Sequence, residues 1–209
     1  MAIAVLQHQQ AAAEIAIDRR EVLRYMGHRD DAIPPALAEL LESALGQLAG
    51  ALTYRACYAA FPLQFLEAPM LDLGFARVES KSLYKHLAGC EGIILFVATA
   101  GIGVDRLVQK YNKLQPSRAL ALDAGGSAAV EAYCDIFCES LAAQYGATGY
   151  CLGPRFSPGY GDFALTHQRD IFAALDCPRR LGISLTNEDL MIPTKSVSAV
   201  IGFDQGEAQ

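Results

Sequence analysis

Apolar residues recur at helical spacing early in the chain and fall into strand-like runs after it. Leu37, Leu40, Leu41, Ala44, Leu45 and Leu48 repeat every three to four positions, the stripe of a helix with one buried side. Pro34-Pro35 opens that helix at the end where proline is tolerated, and Gly50 closes it. Ahead of it, Asp18 with Glu21 three residues on forms a capping box before Val22, Leu23 and Met26, and Gly27 stops the helix. Residues 1–17, rich in alanine and glutamine, begin as a frayed or partner-bound helix or strand. Glu14–Ile17 alternates weakly and predicts a short strand.

Thr53–Tyr58 and Phe75–Val78 read as strands, with Pro62, Pro69 and Gly74 as punctuation. Ser80 caps a short helix to Leu87, which Gly89 ends. Gly92–Ala100 is apolar on both faces, so it is expected at the centre of a sheet. A helix from the Gly101 turn to Asn112 follows. A long helix then runs from Pro116 to Tyr145, where Gly125-Gly126 is expected to interrupt it. Asp162 is expected to cap a helix to Leu175, ended by Cys177-Pro178. Gly182–Thr186 is a strand. Ser196–Phe203 is another, with Val197, Ala199, Ile201 and Phe203 on one face and Ser196 and Ser198 on the other. Strands come both in adjacent pairs and separated by helices, so neither a regular βαβ chain nor an all-β fold fits.

The chain has 209 residues, 52% hydrophobic and 19% charged, enough to bury a sizeable core. One domain is expected, with residues 1–50 as its helical N-terminal part and 204–209 as a polar tail. The net charge of −6 and the lack of a basic block argue against nucleic-acid binding. Met1–Val5 lacks a basic n-region, and the apolar run from Gly92 to Val104 is too short and glycine-rich to span a bilayer. A soluble cytoplasmic protein is therefore expected. The six cysteines contain no Cys-x-x-Cys and should be free thiols in a reducing compartment. Cys134 and Cys138 share a helix face and could hold a metal. No histidine lies near them in sequence, and buried cysteine serves as a small hydrophobe. Gly101-Ile102-Gly103, with Asp123 about 20 residues on, imitates a dinucleotide fingerprint. Arg106 stands where its third glycine belongs, and residues 114–123 alternate poorly.

Chemistry concentrates in the irregular stretch from Gly146 to Asp162, the longest the pattern leaves, and a loop of that length is usually functional. Pro158-Gly159 fits the centre of a type II turn, and Ser157 before a proline is held extended. Such a turn fixes Arg155, Ser157 and Tyr160 relative to one another, with Gly159 letting a ligand approach the backbone. Arginine offers a donor fork for a carboxylate or phosphate, and tyrosine a flat face and a hydroxyl. Glu131 sits among small residues of the long helix, where a buried carboxylate needs a partner. Lys195, at the start of the last strand, could help hold an anion, although an exposed strand-end lysine is the commoner case.

The stretch Arg155-Phe156-Ser157-Pro158-Gly159-Tyr160-Gly161-Asp162 resembles the Arg-x-x-x-Gly-Tyr motif in the activation domain of cobalamin-dependent methionine synthase. It is closer still to the small stand-alone proteins of that superfamily. Phe96–Gly101, Leu185-Thr186-Asn187-Glu188, Met191-Ile192-Pro193 and Ser196-Val197-Ser198 are similar to further segments in the same order. The likeness covers most of residues 90–203 and thins before them to Glu21–Gly27.

The resemblance implies an α+β fold, a twisted, mainly antiparallel sheet flanked by helices. It implies a site for S-adenosylmethionine in which Arg155 meets the ligand carboxylate, Ser157 and Gly159 offer backbone, Tyr160 lies between ligand and corrinoid, and Glu131 stands close by. It also implies a role in restoring inactive cob(II)alamin by one-electron reduction and methyl transfer. The chain lacks the family's Asp-Trp-Thr-Pro segment, with Asp18 a loose positional candidate for the aspartate, and lacks the Asp-x-His-x-x-Gly loop that ligates cobalamin. Any cobalamin would therefore arrive on a partner, a methionine synthase or other corrinoid protein, with a reductant protein as electron source. A non-catalytic binding or assembly module of such a system is the alternative. The apolar N-terminal helices then offer a homodimer face.

Overall fold

The computed structural model describes residues 3–29 and 32–205. In chain order the elements are β1 (Leu6–Gln10), α1 (Arg19–Tyr25), α2 (Pro35–Ala49), β2 (Tyr54–Pro62), β3 (Gln64–Phe65), β4 (Met70–Asp72), β5 (Arg77–Glu79) and α3 (Lys81–His86). There follow β6 (Gly92–Thr99), α4 (Gly103–Tyr111), α5 (Pro116–Gly146), β7 (Tyr150–Phe156), α6 (Gln168–Leu175), α7 (Cys177–Leu181), β8 (Ser184–Leu185), β9 (Met191–Ile192) and β10 (Ser196–Gln205).

β6 lies third in a five-stranded antiparallel sheet of order β1-β2-β6-β10-β7. All eight of its residues are buried, as its unbroken apolar run requires. Alternate side chains serve two cores. Ile94, Phe96 and Ala98 meet the layer of α1, α2, α4 and α5, while Ile93, Leu95 and Val97 meet that of α3, α6 and α7. The α2 stripe is spent inside the first core, where Leu41, Ala44 and Leu48 are buried and α2 packs on α5. The fold is α+β, a mainly antiparallel sheet flanked by helices.

Several local expectations are met. Asp18 caps α1, its carboxylate accepting from the Arg20 amide at 2.8 Å, although Glu21 turns to Arg24 and does not close a capping box. Ser80 caps α3 through the Leu83 amide.

Others are corrected. The strand expected at Glu14–Ile17 is a short 3-10 turn, Ala12–Glu14, and the extended segment is β1, paired with β2 in the register Leu6↔Tyr58. Its glutamine-rich face suits a sheet edge. Gly125-Gly126 does not break α5. A side chain at Gly125 would meet Leu48 and Leu45, and one at Gly126 would meet Val104, so the pair marks close helix packing.

The stretch Gly146–Asp162 is not one long loop, because Tyr150–Phe156 forms β7 along β10. Pro154 is tolerated there because β7 is an edge strand. Asp162 caps α3 and not α6, which starts only at Gln168. Asp204 and Gln205, assigned to the polar tail, extend β10, and the rest of that tail lies outside the described residues. The expected strand Gly182–Thr186 shrinks to β8, paired with β9. No helix among the described residues is long and apolar enough to cross a membrane.

The Gly101-Ile102-Gly103 turn follows a strand with only antiparallel neighbours, so it has no βαβ context for a dinucleotide. Its glycines have structural work. Gly101 holds φ +87°, and a Cβ on Gly103 would lie 2.2 Å from the Ala51 carbonyl oxygen. Cys134 and Cys138 lie on α5 beside the first core. Burial pushes both thiols up, Cys138 to about 11, so they stay protonated and act as small hydrophobes.

Candidate functional site

The turn forms as its residues dictate. The Tyr160 amide donates to the Ser157 carbonyl at 3.2 Å with Gly159 at φ +94°, a type II turn. The Gly159 amide donates to the Phe163 carbonyl at 2.7 Å, so the loop folds back on itself. Asp162 then fastens it to α3. Its carboxylate accepts from the Ser80 hydroxyl at 2.6 Å, the Lys81 amide at 2.8 Å and the Ser82 amide at 3.0 Å. Those bonds, the Ser80 hydroxyl first, hold the Asp162 carboxyl well below the usual carboxylate range.

The anchored turn closes one side of a cavity of about 250 Å³ lined by Glu131, Arg155, Phe156, Ser157, Tyr160 and Val197. Four of the five residues expected at the site thus meet around one space. The fifth, Gly159, shapes the turn but does not line the cavity. Arg155 comes from the end of β7 and Glu131 from α5. The Arg155 Nη2 donates to Asp135 at 2.6 Å and lies 3.4 Å from Glu131. Asp135 is a group the sequence reading missed. Positions 131 and 135 are one helical turn apart and share a face, but spacing does not say which of the two carboxylates the arginine takes. Among the described residues only one nitrogen of the Arg155 fork is engaged, and the other donors of the guanidinium pair with none of them. Tyr160 is 67% exposed and stands free at the rim.

Two further lobes adjoin. One, of about 180 Å³, shares Glu131, Ser157, Tyr160 and Val197 and adds Gln168, Met191 and Ser198. The other, of about 260 Å³, shares Glu131 and is lined by Asp18, Glu21 and Asp135. The cleft therefore has one cation at Arg155, a carboxylate-rich side beyond Glu131, and a mixed polar and apolar side toward β10. Asp18, a loose positional candidate on sequence, lies on the acidic side. Lys195 does not reach the cleft, and it is not the exposed lysine expected. It is buried, with its ammonium 2.7 Å from Asp123 and donating to Ser127 at 3.1 Å.

A chain described as the crystal structure of the MetH reactivation domain bound to AdoHcy superimposes on this one with a TM-score of 0.64, covering 99% of this chain and 80% of that chain at 14% identity. The two share a fold. No protein-family model and no curated protein matches the sequence.

Proposed function

We propose that the protein binds S-adenosylmethionine in this cleft and acts in trans as a reactivation subunit of cobalamin-dependent methionine synthase or another corrinoid methyltransferase. One observation carries the reading: Arg155, Ser157 and Tyr160 meet Glu131 of α5 around one cavity closed by an anchored turn. A neighbour of the same fold described as bound to AdoHcy supports the ligand class.

S-adenosylmethionine would supply an activated methyl group, and the reduced corrinoid of the partner would accept it. The chain's own residues need no general acid or base for that transfer. The free donors of Arg155 suit the ligand carboxylate, where two charged partners strengthen the hydrogen bonds. Asp18, Glu21, Glu131 and Asp135 form a field that favours the ligand's ammonium and sulfonium charges. Tyr160 at the rim offers a flat face where the methyl leaves the cleft toward the partner. Orientation of the two reactants is the main contribution, and it can be large.

A second reading keeps the ligand and drops the turnover. It is favoured by the grip of Asp135 on Arg155, which a ligand carboxylate must share. The test is remethylation of a cob(II)alamin-loaded partner with a low-potential reductant protein and S-adenosylmethionine. Methylcobalamin should form with the wild-type chain and fall at least tenfold with Arg155→Ala. Tight ligand binding without methylcobalamin from any corrinoid partner would favour the second reading.

A further inference from the structure

Gln168 is a buried residue whose side-chain amide makes one hydrogen bond among the described residues, out of the four it can form. It is 4% exposed, opens α6 and lines the lobe between the turn and β10. Its Oε1 accepts from the Ser198 hydroxyl at 2.9 Å, and Ser198 is 2% exposed. In that bond the Ser198 hydroxyl is the donor and the amide oxygen the acceptor. That bond fixes which way the amide points. Nε2 is left as the free end, and nothing among the described residues pairs with it. The atom is open to the lobe and not sealed in the core, so a ligand acceptor can take its hydrogens there.

The surroundings describe what that acceptor belongs to. Tyr160, Pro158 and Met191 offer apolar faces, while Ser157, Ser196 and Ser198 keep the other side polar. Flat heterocycles with ring nitrogens in their plane fit such a slot, since aromatic and thioether groups favour π faces. The lobe is continuous with the Arg155 cavity through Ser157 and Tyr160, so one ligand can reach both.

We propose that this lobe is the purine subsite of the adenosyl ligand and that Gln168, oriented by Ser198, reads one ring nitrogen of the base through Nε2. The inference rests on the S-adenosylmethionine reading above. It makes Gln168 a specificity-determining residue, since the Ser198 bond engages Oε1 and leaves Nε2 to the ligand.

The experiment titrates the intact chain with S-adenosylhomocysteine and with its 1-deaza, 3-deaza and 7-deaza analogues, each lacking one ring nitrogen. One analogue should bind the wild-type chain about fivefold more weakly than the parent, the effect of one hydrogen bond. Against Gln168→Met, that analogue and the parent should bind alike. Gln168→Asn, whose amide is one methylene too short, serves in place of the methionine variant should it fail to fold. Equal binding of all three analogues by the wild-type chain overturns the Gln168 assignment and leaves the ligand reading standing. So does an analogue penalty that persists unchanged in the variant. No binding of the parent compound overturns both.

Discussion

Asp162 ties the turn of the cleft to α3, and its substitution is the sharpest test of that anchoring. Asp162→Ala removes the acceptor for Ser80, Lys81 and Ser82, so the melting temperature should fall. The pH dependence has a defined sign. The folded pKa is depressed, so the contribution is full above the unfolded carboxylate value of about 3.9 and is lost as pH falls from there through the lower folded value. Melting curves of the two chains should therefore converge on acidification. A gap that stays constant from pH 7 to pH 3 would refute the assignment. Tyr160 makes the opposite case. With its ring at the rim, Tyr160→Ala should leave stability within about 0.5 kcal/mol while lowering methyl transfer at least tenfold. A large drop in denaturation midpoint would make it a structural residue. At this scale the sequence displayed most of the residues that line the cavity. Arg155, Ser157 and Tyr160 are legible because proline and glycine fix the turn between them, and Glu131 because a carboxylate among small helix residues needs a partner. Gln168 and Asp135 were not legible. Nothing local distinguishes a buried amide from an exposed one, or tells which carboxylate of a helix face an arginine will choose.

Elements were readable where one force dominated. The apolar run of β6 and the leucine stripe of α2 had only one way to be buried. Leu48 is fully buried in the first core, so Leu48→Ala should cost about 2–5 kcal/mol in denaturant unfolding. Elements were misread where tertiary contact overrode local signals. Gly125-Gly126 looks like a break, yet the helix continues because neighbouring side chains occupy the space a Cβ would take. Gly153-Pro154 looks like loop, yet it lies in β7 because an edge strand has one side free of pairing. The Gly101-Ile102-Gly103 turn reads as a nucleotide motif and is instead a close approach of α4 to the end of α2. Gly103→Ala would push a Cβ against the Ala51 carbonyl and should destabilise the protein by about 1–3 kcal/mol. A change below about 0.5 kcal/mol, the usual range for an unconstrained surface site, would show that the backbone yields there.

For the molecule as a whole, the cleft lies where the end of β7 meets the first residues of β10. α5 brings carboxylates from one layer, α6 brings an amide from the other, and the turn after β7 closes the gap between them. Sequence pattern cannot give that meeting point, since it depends on which helix covers which face of the sheet. The resemblance carried by the turn supplied the fold, and a solved chain of that fold agrees with it over nearly the whole length. The central claim is that the cleft takes S-adenosylmethionine through Arg155. Calorimetric titration of the intact chain with S-adenosylmethionine, beside Arg155→Ala, tests it most directly. Saturable one-to-one binding that the substitution abolishes, with the variant's melting temperature close to that of the parent chain, is the predicted result. No heat of binding at millimolar ligand, or equal affinity in a folded Arg155→Ala chain, would contradict it.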